Sequence, residues 1–493
     1  MSETDRTTLA AKLKEVGKHS MVYGLGSIAQ SAVQFLLIPI LTAAFSPLAF
    51  GAFSLIQMTA TISGSIFYLG ITSALPRSYF DYPDERDRKS VFTTAFLLLL
   101  AGALLQVSLG MAGGRMLSQL VLRTPVYGEA MAWALGGGAL LFVNYFLFAW
   151  LRIVRKSMTS VVFSIITLVG SIGLSIMRLH RNPGEVTVPF LAIALTQGVI
   201  LLAFLLLYGR SAFTTRILPR EVRLLLSYGI PTVLSSFAGM LIDWSDRVFI
   251  ERFVSLGAAG IYSAAFRIGS MVNVLMVAPF AQIWQPMMIE YRDHADIDEF
   301  YTKVISYFFL CGGLILIFSS LFIRNLLPLV IRSKGHEGSI AVALLVMLGY
   351  LIFGYTNIGS AGLIYHRKIT WFAYVYWGVA LLKLAANAVV IPAFGINGAV
   401  ATTLGADILV PTCLYLAARR YFPIHVDWRR LGIITAMVLL AVGYAILLEP
   451  ILPIRFALKI PLALLLMGTI FLLCTTRQEK NWVRGLLITL ARC

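Results

Sequence analysis

Charge is scarce in this sequence. Only 13% of the residues are charged, whereas 59% are hydrophobic. A soluble protein of this length has no need of so much apolar surface, so the scarcity of charge argues against a water-soluble fold. Apolar segments of about 20 residues recur along the whole chain, as is typical of membrane-spanning helices. Backbone polar groups in lipid have to be paired within their own segment, so we predict that each apolar segment is a helix.

Paired cysteines and nucleotide-binding motifs are also lacking. The chain has four cysteines without paired spacing, Cys311, Cys413, Cys474 and Cys493. They fit neither a disulfide framework nor a zinc site, and we expect no metal and no cofactor. No G-x-x-x-x-G-K-[ST] motif occurs in the sequence, which excludes an ATP-driven pump built on that motif.

Positive charge is in excess, with 40 Lys and Arg against 23 Asp and Glu. Such an excess can indicate nucleic-acid binding, but these residues lie mainly in short links between apolar segments, where they orient a membrane protein. Their distribution predicts that both termini face the cytoplasm and that no nucleic acid is bound. Residues 1–20 contain no cleavable signal and, like the tail 479–493, are expected to lie along the membrane surface.

The apolar segments predict an all-α integral membrane protein with about fourteen transmembrane helices. The predicted spans lie near residues 20–43, 50–75, 91–113, 128–150, 158–177, 188–208, 224–248, 257–283, 302–323, 338–360, 371–391, 397–418, 431–448 and 456–475.

An internal repeat divides these spans. The segment AFGAFSLI around Gly51 resembles AAGIYSAA around Gly260. The separation between Pro76 and Pro286 is nearly the same as the separation between these two glycines. The repeat contains six spans, so both copies insert in the same direction, and substrate sites lie between such repeats. We therefore predict a six-helix lobe in residues 1–210, a second in 211–420, and two extra spans with an interfacial tail in 421–493.

Three stretches resemble a known family. They are YGLGSIAQSAVQFLLIPILTAAFSPLAFGAFSL at Tyr23–Leu55 with LGITSALPRSYF at Leu69–Phe80, the stretch Leu226–Gly269 that contains MLIDWSDRVFIERF, and NAVVIPAFGINGAVATTLGA at Asn387–Ala406. They resemble the oligosaccharide-lipid flippases of the multidrug/oligosaccharidyl-lipid/polysaccharide (MOP) superfamily, and the resemblance covers roughly residues 15–420.

The resemblance implies a two-lobe transporter of the bacterial inner (cytoplasmic) membrane. Such a protein moves a polyprenyl-diphosphate-linked oligosaccharide from the cytoplasmic to the outer leaflet by alternating access, for synthesis of O-antigen, exopolysaccharide or capsule. The implied partners are this substrate, membrane lipids, and the polymerase and other proteins of polysaccharide assembly. The family's substrate is anionic at its diphosphate, and the family's cavity is usually basic.

Arg267 is the first candidate for a contact with the diphosphate. It is predicted near the middle of a span, where a charged side chain costs about 2.5–3.5 kcal/mol and needs a partner or a watery cavity. A guanidinium can grip phosphate oxygens through two parallel hydrogen bonds. The alternative is a structural ion pair with Asp246 or Asp407.

Four further residues are candidates for substrate binding. Arg77 lies at the predicted inner end of a span, where a headgroup would enter, although an ordinary positive-inside anchor is the alternative. Lys383 either lines the cavity or extends its ammonium toward the outer surface. Gln30 and Gln34 are one helical turn apart and are candidates for sugar contacts.

The segment MLIDWSDRVFIERF places three charges in one turn of a predicted span. Asp243 and Arg247 are four residues apart and share a helix face. We interpret Asp243, Asp246 and Arg247 as a latch near the outer face, with proton or cation coupling as the alternative. Asp407 is a second coupling candidate, unless it merely packs against its polar neighbours Thr402, Thr403 or Lys383.

Two rival functions are weighed against the flippase. A cation-coupled multidrug exporter of the same superfamily would carry an acidic residue in an early span, but no Asp or Glu occurs between Lys18 and Asp81. An enzyme acting on lipid-linked sugars needs paired carboxylates or a base at a membrane face. No predicted outer link is long enough for such a site, so we expect no enzyme.

Overall fold

The computed structural model describes residues 39–294, 296–330, 339–452 and 454–474. All regular secondary structure in these ranges is helical, and residues 39–44 are the end of a helix that begins outside them. The helices up to the middle of the chain are α1 (Pro47–Phe67), α2 (Ile71–Phe80), α3 (Glu85–Leu122), α4 (Gly128–Ile153), α5 (Ser157–Arg181), α6 (Thr187–Ala212), α7 (Pro219–Phe253) and α8 (Leu256–Gly269).

The second half of the chain continues in the same way. A π-helical turn, Asn273–Val277, leads into the next helix, and another, Tyr444–Leu448, follows the penultimate one. The helices are α9 (Ala278–Glu290), α10 (Ile297–Val330), α11 (Ser339–Gly354), α12 (Thr356–Gly359), α13 (Ala361–Tyr365), α14 (Thr370–Ala418), α15 (Trp428–Gly443) and α16 (Phe456–Cys474).

Eleven helical stretches in the described ranges are long and apolar enough to cross a membrane. A shorter apolar helix, Leu458–Thr469, lies within the last predicted span. The first predicted span, 20–43, falls mostly outside the described residues. The all-α, multi-pass membrane fold is therefore confirmed, and the number of fourteen spans stays a prediction.

The longest helix, α14, is interrupted at one glycine. Gly395 has φ +60° and ψ −134°, which lies outside helical geometry. Glycine adopts such a positive φ without the steric cost that a Cβ imposes. The interruption separates two helical halves, which correspond to the predicted spans 371–391 and 397–418.

The described residues form two compact units. The first contains residues 39–264 and Phe372–Thr403, and the second contains Ala265–Val330, 339–371 and 404–474. The chain therefore passes from the first unit to the second within α8 and again within α14. The predicted lobes, 1–210 and 211–420 with the extra segment 421–493, stay a prediction.

Aromatic rings fill the core of the first unit. Phe92 on α3 stacks on Phe146 of α4, with ring centroids 5.3 Å apart, and also contacts Trp150 at 4.8 Å and Phe213 at 5.3 Å. Helices in lipid associate through close packing rather than through removal of apolar surface from water. This cluster therefore fixes α3, α4 and the end of α6 as a rigid frame.

Helices α1 and α8 approach closely at two glycines of the first unit. A Cβ on Gly51 would overlap the carbonyl oxygen of Leu256, and a Cβ on Gly260 would overlap that of Pro47. Small residues at helix interfaces permit this backbone proximity in membranes. Gly51 and Gly260 are also the residues that the predicted repeat relates, so two positions predicted to be equivalent pack against each other.

Candidate functional site

The charged turn of α7 is mostly buried. The side chain of Asp246 is fully buried and that of Arg247 is 7% exposed, whereas Asp243 is half-buried. A buried charge requires a partner and hydrogen bonds, because its desolvation otherwise costs several kcal/mol. The surroundings of Asp246 therefore determine what this turn can do.

Four side chains donate hydrogen bonds to the carboxylate of Asp246. Its Oδ2 accepts from Thr403 Oγ1 at 2.7 Å, from Tyr262 OH at 2.8 Å and from Lys383 Nζ at 3.0 Å. Its Oδ1 accepts from Asn387 Nδ2 at 2.9 Å. Both oxygens of this buried carboxyl group therefore have donors, and one of the donors is the ammonium of Lys383.

The ammonium of Lys383 is fully hydrogen-bonded as well. It donates to Asp246 Oδ2, to Thr403 Oγ1 at 3.0 Å, and to the main-chain oxygen of Ile242. An ammonium has three protons, and these contacts use all of them. Lys383 is only 3% exposed, so its ammonium lies in the interior of the first unit and does not extend to the surface.

Ser245 and Thr402 orient the side chain of Asn387. Its Nδ2 also contacts Ser245 Oγ at 3.2 Å, while its Oδ1 accepts a 2.6 Å hydrogen bond from Thr402. We call the group formed by Asp246 and its partners the Asp246 cluster, with the members Ser245, Asp246, Tyr262, Lys383, Asn387, Thr402 and Thr403. All of its members lie in the first unit, on α7, α8 and both halves of α14.

Arg247 and Asp243 lie beside the Asp246 cluster. Arg247 Nη1 donates to the main-chain oxygen of Asp243 at 2.7 Å, and its guanidinium lies 5.7 Å from the Trp244 ring and 5.9 Å from the Tyr262 ring. The charges that act on the Asp243 carboxylate include Lys383, Arg247 and Asp246. The charged turn therefore forms one electrostatic unit around the cluster.

The candidate Arg77 has a different environment. It is exposed near the end of α2, and its guanidinium lies 5.1 Å from the ring of Tyr228 on α7. Tyr228 follows Arg223 and Ser227, which line an open groove of about 570 Å³ with Val222 and otherwise apolar neighbours. Tyr228 is not among the residues that line this groove. Arg77 therefore offers an exposed guanidinium over an aromatic ring, and the groove is a separate feature of α7.

Another polar contact lies in the link after α2. Tyr82 OH donates to Glu221 Oε1 at 2.8 Å. This hydrogen bond is the main cause that raises the pKa of Tyr82 above its ordinary value. The contact ties the link between α2 and α3 to the first turn of α7.

The remaining candidates are elsewhere. Arg267 is half-buried on α8 and belongs to the second unit, as does Asp407, which is 6% exposed and whose Oδ2 lies against Gly349. Gln30 and Gln34 lie outside the described residues. Among the described residues, no three His, Cys, Asp or Glu side chains are grouped so that they could hold a metal ion.

The structure brings together residues that the sequence presented separately. Asp246 and Lys383 were each singled out, but as members of different sites. The sequence pattern does not point to Tyr262 or Asn387, although Lys383 and Asn387 are four residues apart on one face of an apolar span. That spacing was the available signal, because two polar groups on one face of a membrane helix need a common partner.

Comparison with known proteins gives a family and a fold. The sequence profile described as polysaccharide biosynthesis protein matches residues 16–292. No curated protein matches the chain. Among solved structures, the lipid II flippase MurJ in an inward closed conformation has a TM-score of 0.71 at 11% identity, covering 95% of this chain and 100% of its own.

Two further solved structures are MOP superfamily transporters. An inward-facing multidrug resistance MATE transporter has a TM-score of 0.66 at 14% identity, covering 79% of this chain and 94% of its own. A transporter from Pyrococcus furiosus, described as having a binding pocket of reverse polarity, has a TM-score of 0.55 at 16% identity, covering 82% and 95%. The fold is therefore that of MOP superfamily transporters.

Proposed function

Because this chain belongs to the family of polysaccharide biosynthesis proteins, we propose that it is a flippase for a polyprenyl-diphosphate-linked oligosaccharide. It moves this lipid from the cytoplasmic to the outer leaflet of the bacterial cytoplasmic membrane. The family match carries the proposal, since it covers more than half of the chain. The MOP fold supports the same class of activity, because the lipid II flippase has that fold too.

Arg77 is the group proposed to receive the diphosphate. It is exposed at the end of α2, and its guanidinium lies 5.1 Å from the ring of Tyr228. An exposed guanidinium at the end of a span is placed where an anionic headgroup would enter. Arg267 is the second proposed ligand, because a guanidinium binds phosphate oxygens in a bidentate manner, and Gln30 and Gln34 are further candidates. Lys383 would contact the substrate only if the Asp246 cluster opened, because all three of its ammonium protons are used there.

The Asp246 cluster is proposed to hold the first unit in one conformation. A buried ion pair with all its hydrogen bonds made has a well-defined geometry, and loss of one partner costs about 3–5 kcal/mol. Protonation of Asp246 would weaken its pairing with Lys383, which links opening of the cluster to a proton. Asp243 and Arg247 beside the cluster, and Asp407 in the second unit, are the other candidates for gating or coupling.

A cation-coupled multidrug exporter is the alternative, because MATE transporters share the fold. One observation counts against it. In the described part of the chain, α1 to α6 contain no buried Asp or Glu, whereas a cation-coupled exporter would use such a carboxylate.

The proposal extends to topology and partners. The two lobes, 1–210 and 211–420, would move against each other around the substrate, with both termini in the cytoplasm. The polymerase and other assembly proteins would then act on the flipped lipid. The chain itself performs transport and no bond-breaking chemistry.

Deletion of the gene in its host tests the function. We expect one diphosphate-linked oligosaccharide lipid to accumulate, facing the cytoplasm, while one surface polysaccharide disappears. If the wild-type chain restores the polysaccharide and the Arg77→Glu variant does not, Arg77 is assigned to binding of the diphosphate headgroup. Unchanged lipid-linked sugars together with a gain in sensitivity to cationic drugs would establish the exporter instead.

A further inference from the structure

Lys383 lies in a cage of oxygen atoms of three kinds. Its ammonium contacts a main-chain carbonyl oxygen of Ile242, a carboxylate oxygen of Asp246 and a hydroxyl oxygen of Thr403. Carbonyl, carboxylate and hydroxyl oxygens are the donors that hard cations such as Na⁺ take in proteins. Broken helices of transporters bind coupling ions with such groups, and α14 is broken at Gly395.

We infer that this cage is a site for a monovalent cation that the chain fills with its own ammonium. Lys383 thus acts as a tethered cation in the place of Na⁺ or K⁺. The wild-type protein then binds no alkali cation at Asp246, and its conformational cycle does not depend on one. This inference is independent of which substrate the protein moves.

The charge balance of the cluster supports the inference. Without Lys383, the buried carboxylate of Asp246 loses the ammonium that lies 3.0 Å from its Oδ2, and a proton or an external cation can take that place. Tyr262, Thr403 and Asn387 still donate hydrogen bonds to its two oxygens. The place of the ammonium, between the oxygens of Ile242, Asp246 and Thr403, is then open to an external cation, which is the expected replacement.

Another buried ion pair, between Lys459 and Glu449, offers a matched control. Lys459, which is 2% exposed, bonds to Glu449 Oε1 and to Asn325 Oδ1 at 2.8 Å. Glu449 also lies 3.5 Å from the guanidinium of Arg324. Lys459→Ala therefore removes a buried ammonium but leaves the carboxylate with a cation from the chain, so no external cation is required.

Thermal unfolding of the full-length protein in detergent tests the inference. Wild type, Lys383→Ala, Lys459→Ala and Asp246→Asn/Lys383→Ala are each unfolded in LiCl, NaCl, KCl or N-methyl-D-glucamine chloride at one ionic strength. A cation that binds only the folded state raises the unfolding temperature. We expect a rise of several degrees in one alkali chloride for Lys383→Ala alone, and the same unfolding temperature in all salts for the other three.

Binding of radioactive sodium, with the other alkali cations as competitors, provides a second measurement. Binding by Lys383→Ala that is absent from the wild type supports the tethered cation. If Lys383→Ala responds to no alkali cation, or if the double variant responds equally, the cage is no cation site. If Lys383→Ala cannot be purified, Lys383→Ser takes its place, and sodium binding by the wild type that Asp246→Asn abolishes overturns the inference directly.

Discussion

Lys383 and Asp246 are 137 residues apart in the sequence, yet Lys383 Nζ lies 3.0 Å from Asp246 Oδ2 with both side chains almost fully buried. This pair joins α7 to the first half of α14. It also accounts for two charges that are otherwise costly in a membrane span.

Breaking the pair on one side should be far more costly than removing both charges. Lys383→Met leaves the Asp246 carboxylate buried without its ammonium, and we expect a loss of about 3–5 kcal/mol in the free energy of unfolding. Asp246→Leu/Lys383→Met removes both charges and should regain most of that loss. Denaturant unfolding of both single variants and of the double variant in mixed micelles measures the coupling energy between the two side chains. If the free-energy loss of the double variant equals the sum of the two single losses, Lys383 and Asp246 do not stabilise each other.

Tyr262→Phe should destabilise the protein although it removes a single oxygen. Tyr262 OH donates to the carboxylate of Asp246, and a hydrogen bond to a charged group contributes about 1.5–3 kcal/mol. Tyr421→Phe is the control, because Tyr421 is exposed and its ring contact with His366 survives the change. Equal unfolding temperatures for the two variants would show that the bond to Asp246 contributes nothing.

Substitution at the α1–α8 contact should be poorly tolerated. A Cβ on Gly260 overlaps the carbonyl oxygen of Pro47, so Gly260→Ala forces the two backbones apart. Overpacking of this kind costs about 1–3 kcal/mol. Gly136→Ala is the control, because its new methyl group meets nothing within 4 Å and Ala favours a helix. We expect a lower unfolding temperature for Gly260→Ala and an unchanged or higher one for Gly136→Ala.

Arg77→Glu should abolish substrate transport without lowering stability. Arg77 is exposed and its ring contact with Tyr228 is at the surface, so the substitution changes charge and no core packing. Arg210→Glu, exposed at the end of α6, is the matched control. Accumulated lipid-linked sugar in the host is the measurement. Equal accumulation with both variants would assign Arg77 to membrane orientation alone.

The Tyr82–Glu221 hydrogen bond should give a stability that is lost at high pH. The pKa of Tyr82 is raised above its ordinary value by this bond to Glu221, so the folded state holds the phenol proton more tightly than the unfolded state. The stabilisation is therefore complete below the ordinary tyrosine pKa and vanishes as the pH rises through the raised one. Tyr82→Phe should abolish this pH dependence, measured as the difference in unfolding temperature from the wild type.

Much of the fold follows from the sequence because lipid demands long apolar helices. Most of the predicted spans coincide with helices, and even the break between 371–391 and 397–418 matches Gly395. The Asp246 cluster could not be derived in the same way. Which buried charges meet depends on how distant helices pack, and Asp246 had several possible partners of opposite charge, including Arg267.

The glycine pair was recognised for a different reason than the one the structure gives. Gly51 and Gly260 were markers of a repeat, and sequence similarity does not reveal whether equivalent positions touch. In the structure, the two backbones meet there because neither residue has a side chain. Contact between equivalent positions requires three-dimensional information.

The break at Gly395 limits how the Asp246 cluster can evolve. Thr402 and Asn387 are 15 residues apart, on the two halves of α14, yet they are hydrogen-bonded. At about 1.5 Å per residue, a straight helix would hold them more than 20 Å apart. The chain has to reverse at Gly395, so the two halves of α14 form a helical hairpin. An insertion or deletion near that turn would move Lys383 and Asn387 away from Thr402 and Thr403 without substituting any of these residues.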